Sequence, residues 1–319
     1  MNHPIGSTQV FESIIKSINQ VANTPLPVLL TGETGVGKGV FARYLHQQST
    51  RCDKPFHVVN CGSIAPGVLE SELFGHEKGA FSGALSKRIG LLEHANGGTV
   101  LLDEINSAPA ELQVRLLDFI QLGTIKPVGS NDAISLDVRL VFATNQPLEP
   151  LVAKGMFRAD LFYRMHVFPI EIPPLRQRKA DISVLVAQLL ADYAQRLNIS
   201  IPTVAPEAMQ VLIDFAWPGN VRQLENVVQR LLVATSLTGK IQIQDLPKEL
   251  LDDVPILQAD RSMRFYPTTE SCLTLKELEN QHIKYTLMKC EGNKSLAAKL
   301  LGINSTTLWR KLKESSAAE

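Results

Sequence analysis

The sequence predicts an α/β core with a parallel sheet, then a helical subdomain and a short all-α domain at the C-terminus. Short apolar runs alternate with amphipathic segments over the first two-thirds of the chain, and a glycine-rich loop follows the first run. After Pro173-Pro174 no further strand-like run appears, which predicts the helical part. A chain of 319 residues is long enough for two or three domains.

Apolar runs mark the strands of the core, and longer amphipathic segments mark its helices. The candidate strands are Val28–Thr31, Phe56–Asn60, Thr99–Asp103, Val138–Thr144 and Val167–Glu171. The candidate helices are Gln9–Asn19, Gly39–Gln48, Ala110–Leu122 and Ala159–Met165.

Beyond the proline pair the pattern becomes helical, at Asp181–Leu197, Pro206–Phe215 and Asn220–Thr235. Asn220 is expected to cap the last of these helices, with Gln223 three residues later as in a capping box. These changes divide the chain into an α/β subdomain (1–172), a helical subdomain (173–250), a linker (251–271) and a C-terminal domain (272–319).

The glycine-rich loop GETGVGKG lies between the first core strand and the following helix. Its backbone N–H groups and the helix N-terminus favour a phosphate, and Lys38 adds a charge for the outer phosphates. This context favours phosphate binding over a glycine-rich turn with a surface lysine. Gly39 stands where the pattern has Ser or Thr, so a magnesium ion must rely on other groups. The candidate nucleotide-binding residues are Gly32, Glu33, Thr34, Gly35, Val36, Gly37, Lys38 and Gly39.

Two carboxylates follow the apolar run Val100–Leu102. Asp103 can hold Mg²⁺ directly or through water, and Glu104 can polarise an attacking water. An apolar run that ends in Asp-Glu is common by itself, but downstream of a phosphate loop the functional interpretation is favoured. Asn145 ends the next strand and could contact the attacking water or the terminal phosphate, although Asn is also a common turn residue.

Three arginines are further candidates. Arg158 and Arg164 flank one helix, where they could stabilise transition-state charge on a neighbouring subunit's nucleotide. Without further context they are better explained as surface arginines in ion pairs. Arg222 lies in the first turn of a predicted helix, where a cation is unfavourable unless a phosphate compensates.

Charge is balanced over the whole chain, with 32 basic and 32 acidic residues, but not along it. From Gln281 to Lys313 there are seven basic residues and one acidic residue, which favours a segment that meets a polyanion, although on charge alone a solvated basic helix is a serious alternative. The four cysteines show no ligand spacing, and neither a secretory leader nor a membrane-spanning run is visible. We therefore expect reduced thiols, a cytoplasmic location and no membrane partner.

The motifs together resemble those of the bacterial enhancer-binding proteins, the AAA+ ATPases that activate sigma-54 RNA polymerase. The matching runs are GETGVGKG, NCGSI, ESELFGHEKGAFSGA, GGTVLLDEI, ATN, FRADLFYR and WPGNVRQLEN. The resemblance implies an AAA+ P-loop core with a helical lid, ATP and Mg²⁺ as cofactors, and ATP hydrolysis that remodels sigma-54 RNA polymerase for open-complex formation. It also implies a homo-oligomer, from dimer to hexameric ring, in which Arg158 and Arg164 act in trans.

The resemblance gives the remaining candidates their roles. Asn60 would hold Glu104 away from water until the productive state, Asn145 would sense the terminal phosphate, and Arg222 would contact nucleotide from the lid. Asn131–Ser135 would be a second surface loop. The residues expected to contact sigma-54 are Gly79, Ala80, Phe81, Ser82, Gly83 and Ala84, with Ser82 in place of the usual Thr.

The C-terminal segment is expected to form helices at Leu275–Cys290, Lys294–Leu301 and Ser305–Lys313, with Gly302 in a helix-turn-helix turn. It resembles the Fis-type domain, which implies a dimer on double-stranded enhancer DNA. The positive charge favours this over a hairpin used only for oligomerisation. The candidate DNA-binding residues are Lys294, Ser305, Thr306, Thr307, Arg310, Lys311 and Lys313, around a core of Ala297, Ala298, Leu301, Ile303, Leu308 and Leu312.

The sequence also bears on how the protein is regulated and on two alternative functions. The ATPase pattern begins almost at Met1, so we expect control by a separate regulatory protein in trans, by expression level, or through a longer natural chain. A DNA-bound regulator that uses its AAA+ core only for assembly is disfavoured by the GAFSGA loop. A helicase-type ATPase is disfavoured by the short C-terminal domain.

Overall fold

The structure, a computed structural model, describes residues 3–63, 66–81, 84–235, 238–252, 282–283, 286–287, 290 and 293–316, without the side chains of 66, 252, 295, 305 and 313–316. The chain divides into two compact units, Met1–Val254 and Pro255–Glu319, and each is described by itself. No helix in the described ranges is long and apolar enough to cross a membrane.

The strands of the first unit are β1 (Val28–Thr31), β2 (Phe56–Asn60), β3 (Gly75–His76), β4 (Arg88–Ile89), β5 (Thr99–Asp103), β6 (Thr124–Ile125), β7 (Ile134–Ser135), β8 (Arg139–Thr144), β9 (Phe168–Glu171), β10 (Thr203–Val204) and β11 (Lys240–Ile241). Five of them form a parallel sheet in the order β2-β5-β8-β1-β9. Asn60 pairs with Asp103 and Thr31 with Thr144, so the carboxyl ends of β1, β2, β5 and β8 share one edge.

The helices of the first unit are α1 (Gln9–Ala22), α2 (Lys38–Gln47), α3 (Pro66–Phe74), α4 (Leu91–His94), α5 (Ala110–Leu122), α6 (Glu149–Ala153), α7 (Ala159–Met165), α8 (Asp181–Leu197), α9 (Pro206–Asp214), α10 (Asn220–Ala234) and α11 (Lys248–Asp252). Alternate strand residues point to opposite faces of the sheet. Leu29, Leu102 and Phe142 join the core that includes α5 and α7 residues, while Leu30 and Leu101 join the core that includes α1 and α2 residues. Both faces are therefore covered, as a parallel sheet requires.

The predicted core strands are confirmed, with β8 and β9 each beginning one residue later than expected. Helix α1 continues three residues past its predicted end at Asn19. The buried guanidinium of Arg139 donates hydrogen bonds to the carbonyl oxygens of Val21, at 2.7 Å, and of Ala22. These carbonyls belong to the last turn of α1, where a cation stabilises exposed carbonyl groups.

The helices predicted after Pro173-Pro174 are confirmed. The prediction that no strand follows the proline pair is wrong, because the two-residue strands β10 and β11 pair in parallel there. The predicted N-cap of α10 is also wrong. Gly219 is the N-cap, and Asn220 is fully buried in the left-handed conformation with φ of 52°. The backbone N–H of Gly219 donates to the side-chain oxygen of Gln223 at 3.0 Å, so that half of the predicted capping box occurs one residue earlier. The Asn220 side chain is turned instead toward the glycine-rich loop.

The second unit contains α12 (Lys294–Leu300) and α13 (Ser305–Ser316). Gly302 lies between them with φ of 65°, and the Asn293 side chain caps α12 by accepting from the backbone N–H of Leu296 at 3.2 Å. The predicted core residues pack together with Ile283 and Cys290. The predicted helix Leu275–Cys290 lies largely outside the described residues. So does the predicted linker, except that its first two residues end α11.

Candidate functional site

A cavity of about 420 Å³ opens at the carboxyl edge of the sheet, the usual place for a ligand in a parallel α/β fold. Its wall combines the glycine-rich loop with the ends of β2, β5 and β8 and the start of α10. The predicted site residues that line it are Thr34, Gly35, Val36, Gly37, Lys38, Gly39, Asn60, Asp103, Glu104, Asn145 and Arg222.

The glycine-rich loop places Lys38 beneath the cavity. Gly35 and Gly37 have φ of 81° and 102°, which glycine adopts without steric cost. The Lys38 Nζ donates to the carbonyl oxygens of Gly32 at 2.8 Å and Glu33 at 3.0 Å. Burial lowers the pKa of Lys38, against the opposing attraction of Asp103 and Glu104. The ammonium group is therefore held by the loop carbonyls, and Lys38 lines the same cavity as the acidic pair.

The acidic pair ends β5 in an unusual backbone turn. Glu104 has φ of 54°, and its backbone N–H donates to the Asp103 Oδ1 at 2.9 Å. A Cβ added to Gly62 would lie 2.5 Å from the Glu104 Oε2, so this carboxylate lies against the Gly62 backbone. The Asn60 Oδ1 accepts from the Gly62 N–H at 2.8 Å. Asn60 and Glu104 thus both lie against Gly62.

Two other predicted residues, Asn145 and Arg222, line the cavity from two different elements. The Asn145 side-chain amide lies 3.4 Å from the Thr34 hydroxyl, which places the end of β8 beside the phosphate loop. The backbone N–H of Arg222 donates to the Gly35 carbonyl at 3.2 Å. The Arg222 side chain is exposed and borders the cavity. The lid therefore brings a guanidinium to the same space as Lys38.

The structure does not bring the other two arginines to this cavity. Arg158 and Arg164 are absent from the described residues that line it. Arg158 forms a bidentate ion pair with Asp160, at 2.7 Å and 3.1 Å. Arg164 is exposed and has no hydrogen-bond or ion-pair partner in the described part of the chain. Both guanidinium groups are therefore presented at the surface near α7.

Contacts between the lid and the phosphate loop were missed by sequence reasoning. Arg176 forms a bidentate ion pair with Glu33, at 2.6 Å and 2.8 Å, and Arg178 donates to the Val36 carbonyl at 3.0 Å. Hydrogen bonds from Arg176 and Asn220 lower the pKa of Glu33 to about 2. The partners lie more than a hundred positions apart in the chain, and nothing in the local pattern marks them.

The predicted sigma-54 loop extends from β3 and lies beside the hairpin β6-β7. His76 bridges to Val128, and a Cβ added to Gly129 would lie 2.8 Å from the Ala80 Cβ. The Phe81 ring meets the His76 ring edge-on at 5.1 Å, yet 47% of Phe81 remains exposed. Ser82 and Gly83 lie outside the described residues, and Ala84 is buried. The second loop was predicted too far along the chain, because Ile134 and Ser135 form β7.

In the second unit, the predicted DNA-binding residues cluster on α13. Thr306 and Arg310 are exposed, and Thr307 and Lys311 are half-buried. Lys294 is exposed at the start of α12, and the side chains of Ser305 and Lys313 lie outside the description. Leu308 and Leu312 face the small core. The opposite face of α13 therefore carries a threonine and an arginine one helical turn apart.

Family models match the chain in three consecutive parts. The model of the Sigma-54 interaction domain matches residues 4–171, that of the AAA+ ATPase lid domain 176–262, and that of the bacterial regulatory proteins of the Fis family 274–314.

Known relatives resemble nearly the whole chain. The transcriptional regulatory protein ZraR of Klebsiella oxytoca is 42% identical over 97% of this chain and 68% of its own length. The phenol regulator MopR of Acinetobacter guillouiae is 38% identical over 98% of this chain and 56% of its own. The crystal structure of NtrX from Brucella abortus in complex with ADP gives a TM-score of 0.75 at 33% identity, over 98% of this chain and 69% of its own. The chain thus spans between 56% and 69% of these relatives.

A parallel sheet, a phosphate loop, an acidic pair at a strand end and a helical lid define an AAA+ ATPase. The resemblance drawn from the motifs is confirmed by the family models and the relatives. The chain belongs to the sigma-54-dependent transcriptional regulators, as an activator with an ATPase domain and a Fis-type helix-turn-helix.

Proposed function

We propose that the protein hydrolyses ATP with Mg²⁺ between the subunits of an oligomeric ring and uses Gly79–Ala84 to remodel sigma-54 RNA polymerase for open-complex formation. The helix-turn-helix would hold the ring at double-stranded enhancer DNA. One observation carries this proposal: a single compact unit combines a phosphate-loop cavity with a surface loop that leaves the Phe81 ring half exposed. Aromatic side chains are enriched in protein–protein interfaces relative to the rest of the protein surface, so the exposed part of Phe81 suits a docking contact.

Nucleotide would lie across the loop from Gly32 to Gly39, with its phosphates on the N-terminus of α2 and on Lys38. NtrX of Brucella abortus has been crystallised with ATP and with ADP, at TM-scores of 0.72 and 0.75 to this chain. Arg222 would contact the phosphates from the lid, and Asn145 would face the terminal phosphate. The cavity volume and its lining support this placement.

The residues at the end of β5 fit a hard cation. Asp103 and Glu104 offer carboxylate oxygens beside Lys38, and Mg²⁺ is commonly held by one or two carboxylates together with substrate phosphates. When bound, Mg²⁺ would neutralise charge on the phosphate oxygens. Asp103 would be its protein ligand, and Glu104 would orient and deprotonate the attacking water. Asn60, which fixes Gly62 against Glu104, would control when that carboxylate is released.

Arg158 and Arg164 support an oligomeric site. Neither is among the described residues that border the cavity of its own subunit, yet phosphoryl transfer gains from a guanidinium that neutralises transition-state charge. We therefore assign both arginines to the nucleotide of a neighbouring subunit. The ion pair between Arg158 and Asp160 would open when the neighbour's phosphates compete for the guanidinium.

The deciding experiment is open-complex formation by purified polymerase carrying sigma-54, with and without ATP. The protein should open the promoter only with hydrolysable ATP. Phe81→Ala should retain ATPase activity and lose promoter opening, whereas Val68→Ala, which alters an exposed apolar residue on α3, should retain both. Opening by Phe81→Ala at the normal rate would overturn the role of the loop.

A further inference from the structure

We infer that Asn220 is a positioning residue, which holds the phosphate loop against the lid in the shape that receives nucleotide. The inference rests on the proposed nucleotide site. Asn220 is not among the described residues that line the cavity, so it acts through the loop and through Arg222.

The buried Asn220 side chain joins three segments of the chain. Its Oδ1 accepts from the Leu175 N–H at 2.8 Å, where the chain leaves the sheet for the lid. Its Nδ2 donates to the Glu33 carboxylate at 3.2 Å and to the Thr34 carbonyl at 3.0 Å. One buried amide therefore satisfies a buried backbone group of the lid and two groups of the phosphate loop that are partly exposed.

The backbone around Asn220 is held in an unfavourable shape. Asn220 and Trp217 have φ of 52° and 51°, and both are fully buried. The Trp217 indole N–H donates to the Leu212 carbonyl at 2.7 Å, which fixes the turn from its other side. Left-handed backbone at non-glycine residues persists where the surroundings over-determine it, and such sites cluster at functional positions.

This turn meets the phosphate loop on both sides of Asn220. A Cβ added to Gly35 would lie 2.3 Å from the Gly219 carbonyl oxygen, so the two backbones are in close contact. Arg222 lies two residues after Asn220, and its backbone N–H donates to the Gly35 carbonyl. Asn220 lies between these contacts and sets the position at which α10 begins. A shift of the turn would move the phosphate loop and the guanidinium of Arg222 together.

Glu33 completes the connection, because Asn220 shares this carboxylate with Arg176. A carboxylate that accepts from an amide and from a guanidinium is constrained from two directions. The lid thus holds Glu33, Thr34 and Val36 of the phosphate loop through Asn220, Arg176 and Arg178. We expect this attachment to pre-organise the loop, and pre-organisation raises affinity for a ligand.

The test is Asn220→Asp, which keeps the size and the tolerance for positive φ but replaces the donating amide by a carboxylate opposite Glu33. The dissociation constant of a fluorescent ADP analogue and the KM for ATP should each rise about tenfold or more, which corresponds to about 1.4 kcal/mol. The kcat at saturating ATP should change less than threefold. Asn226→Asp, at an exposed position of α10, should leave the dissociation constant, the KM and the kcat unchanged.

A second variant protects the test from misfolding. Asn220→Gly accommodates the left-handed backbone and removes the same hydrogen bonds, and it should weaken nucleotide binding in the same direction. Adding Glu33→Gln to Asn220→Asp should recover part of the lost affinity, because the new amide can donate to the introduced carboxylate.

Unchanged affinity in both Asn220 variants would overturn the inference while leaving the ATPase proposal intact. Failure of the unmodified protein to bind nucleotide would instead overturn the proposed function.

Discussion

At the scale of single residues, the end of β5 shows how burial and charge act on a neighbouring thiol. Cys61 follows β2 and is buried, and its backbone N–H donates to the Asp103 carbonyl at 2.8 Å. Desolvation, together with the charges of Asp103 and Glu104, raises the pKa of Cys61 to about 12. The thiol is therefore held in its neutral form beside the acidic pair.

We expect Cys61 to resist alkylation, because the thiolate is the nucleophile. At pH 8, iodoacetamide should modify the exposed Cys52 at least about tenfold faster than Cys61. Peptide mass mapping over a time course would measure both rates in the folded protein. In guanidinium chloride the two rates should converge, and equal rates in the native protein would contradict the prediction.

Gly39 offers a second prediction at this scale. A Cβ added there meets nothing within 4 Å, so a small side chain fits without displacing a neighbour. Gly39→Ser should add an oxygen ligand for Mg²⁺ and tighten binding of an ADP analogue by about threefold to tenfold when Mg²⁺ is present. Gly39→Ala is the matched control, since it changes the helix equally without adding a hydroxyl. A gain of the same size in EDTA would show that the hydroxyl does not act through the metal.

At the scale of elements, the join between α1 and β8 depends on one buried cation. Arg139 is 2% exposed and contacts the carbonyl groups of Val21 and Ala22. Arg139→Met should lower the free energy of unfolding by about 2–4 kcal/mol, because the two carbonyls lose their charged donor while buried. Urea denaturation would measure this loss. Arg230→Met, at an exposed position of α10, should stay within about 0.5 kcal/mol of the unmodified protein.

The same scale shows what the sequence can predict. The core strands and the helices α5, α7 and α8 are predictable because apolar periodicity and breaker residues act locally. The extension of α1 depends on Arg139, more than a hundred residues away, and the N-cap of α10 depends on contacts of Asn220 with Glu33 and Thr34. The motifs predict which residues lie around the cavity, but they do not predict that Arg176 binds Glu33. Local patterns carry no information on such partners.

The ion pair between Glu33 and Arg176 also predicts a pH dependence of the lid attachment. The pKa of Glu33 is lowered to about 2 from 4.5, so the pairing stabilises the fold above pH 4.5 and is lost as the pH falls through 2. Because both side chains are partly exposed, the effect on stability should be small. Glu33→Gln should flatten the fall in unfolding free energy between pH 4.5 and pH 2, measured by urea denaturation. A slope identical to that of the unmodified protein would contradict the pairing.

At the scale of the whole molecule, the arrangement of the arginines predicts complementation between subunits. Lys38→Ala should abolish nucleotide binding, and Arg158→Ala should abolish hydrolysis, while both variants keep their binding to DNA. In an equal mixture, roughly a quarter of the subunit interfaces would combine an intact Lys38 with an intact neighbouring Arg158. The mixture should therefore regain part of the ATPase activity, measured by phosphate release. A mixture as inactive as its components would argue against completion of the site in trans.

His76 bridges to Val128 and Ala80 lies against Gly129, so the loop that carries Phe81 and the loop between β6 and β7 support each other. Two loops in contact resist bending better than one loop would, so under the proposed function a force on Phe81 would be shared by both loops. The backbone at Gly129 has φ of 80°, and an added Cβ would collide with Ala80. Glycine is therefore the residue that allows the two loops to approach this closely. A side chain at position 129 would push the two loops apart and leave the loop that carries Phe81 less rigid.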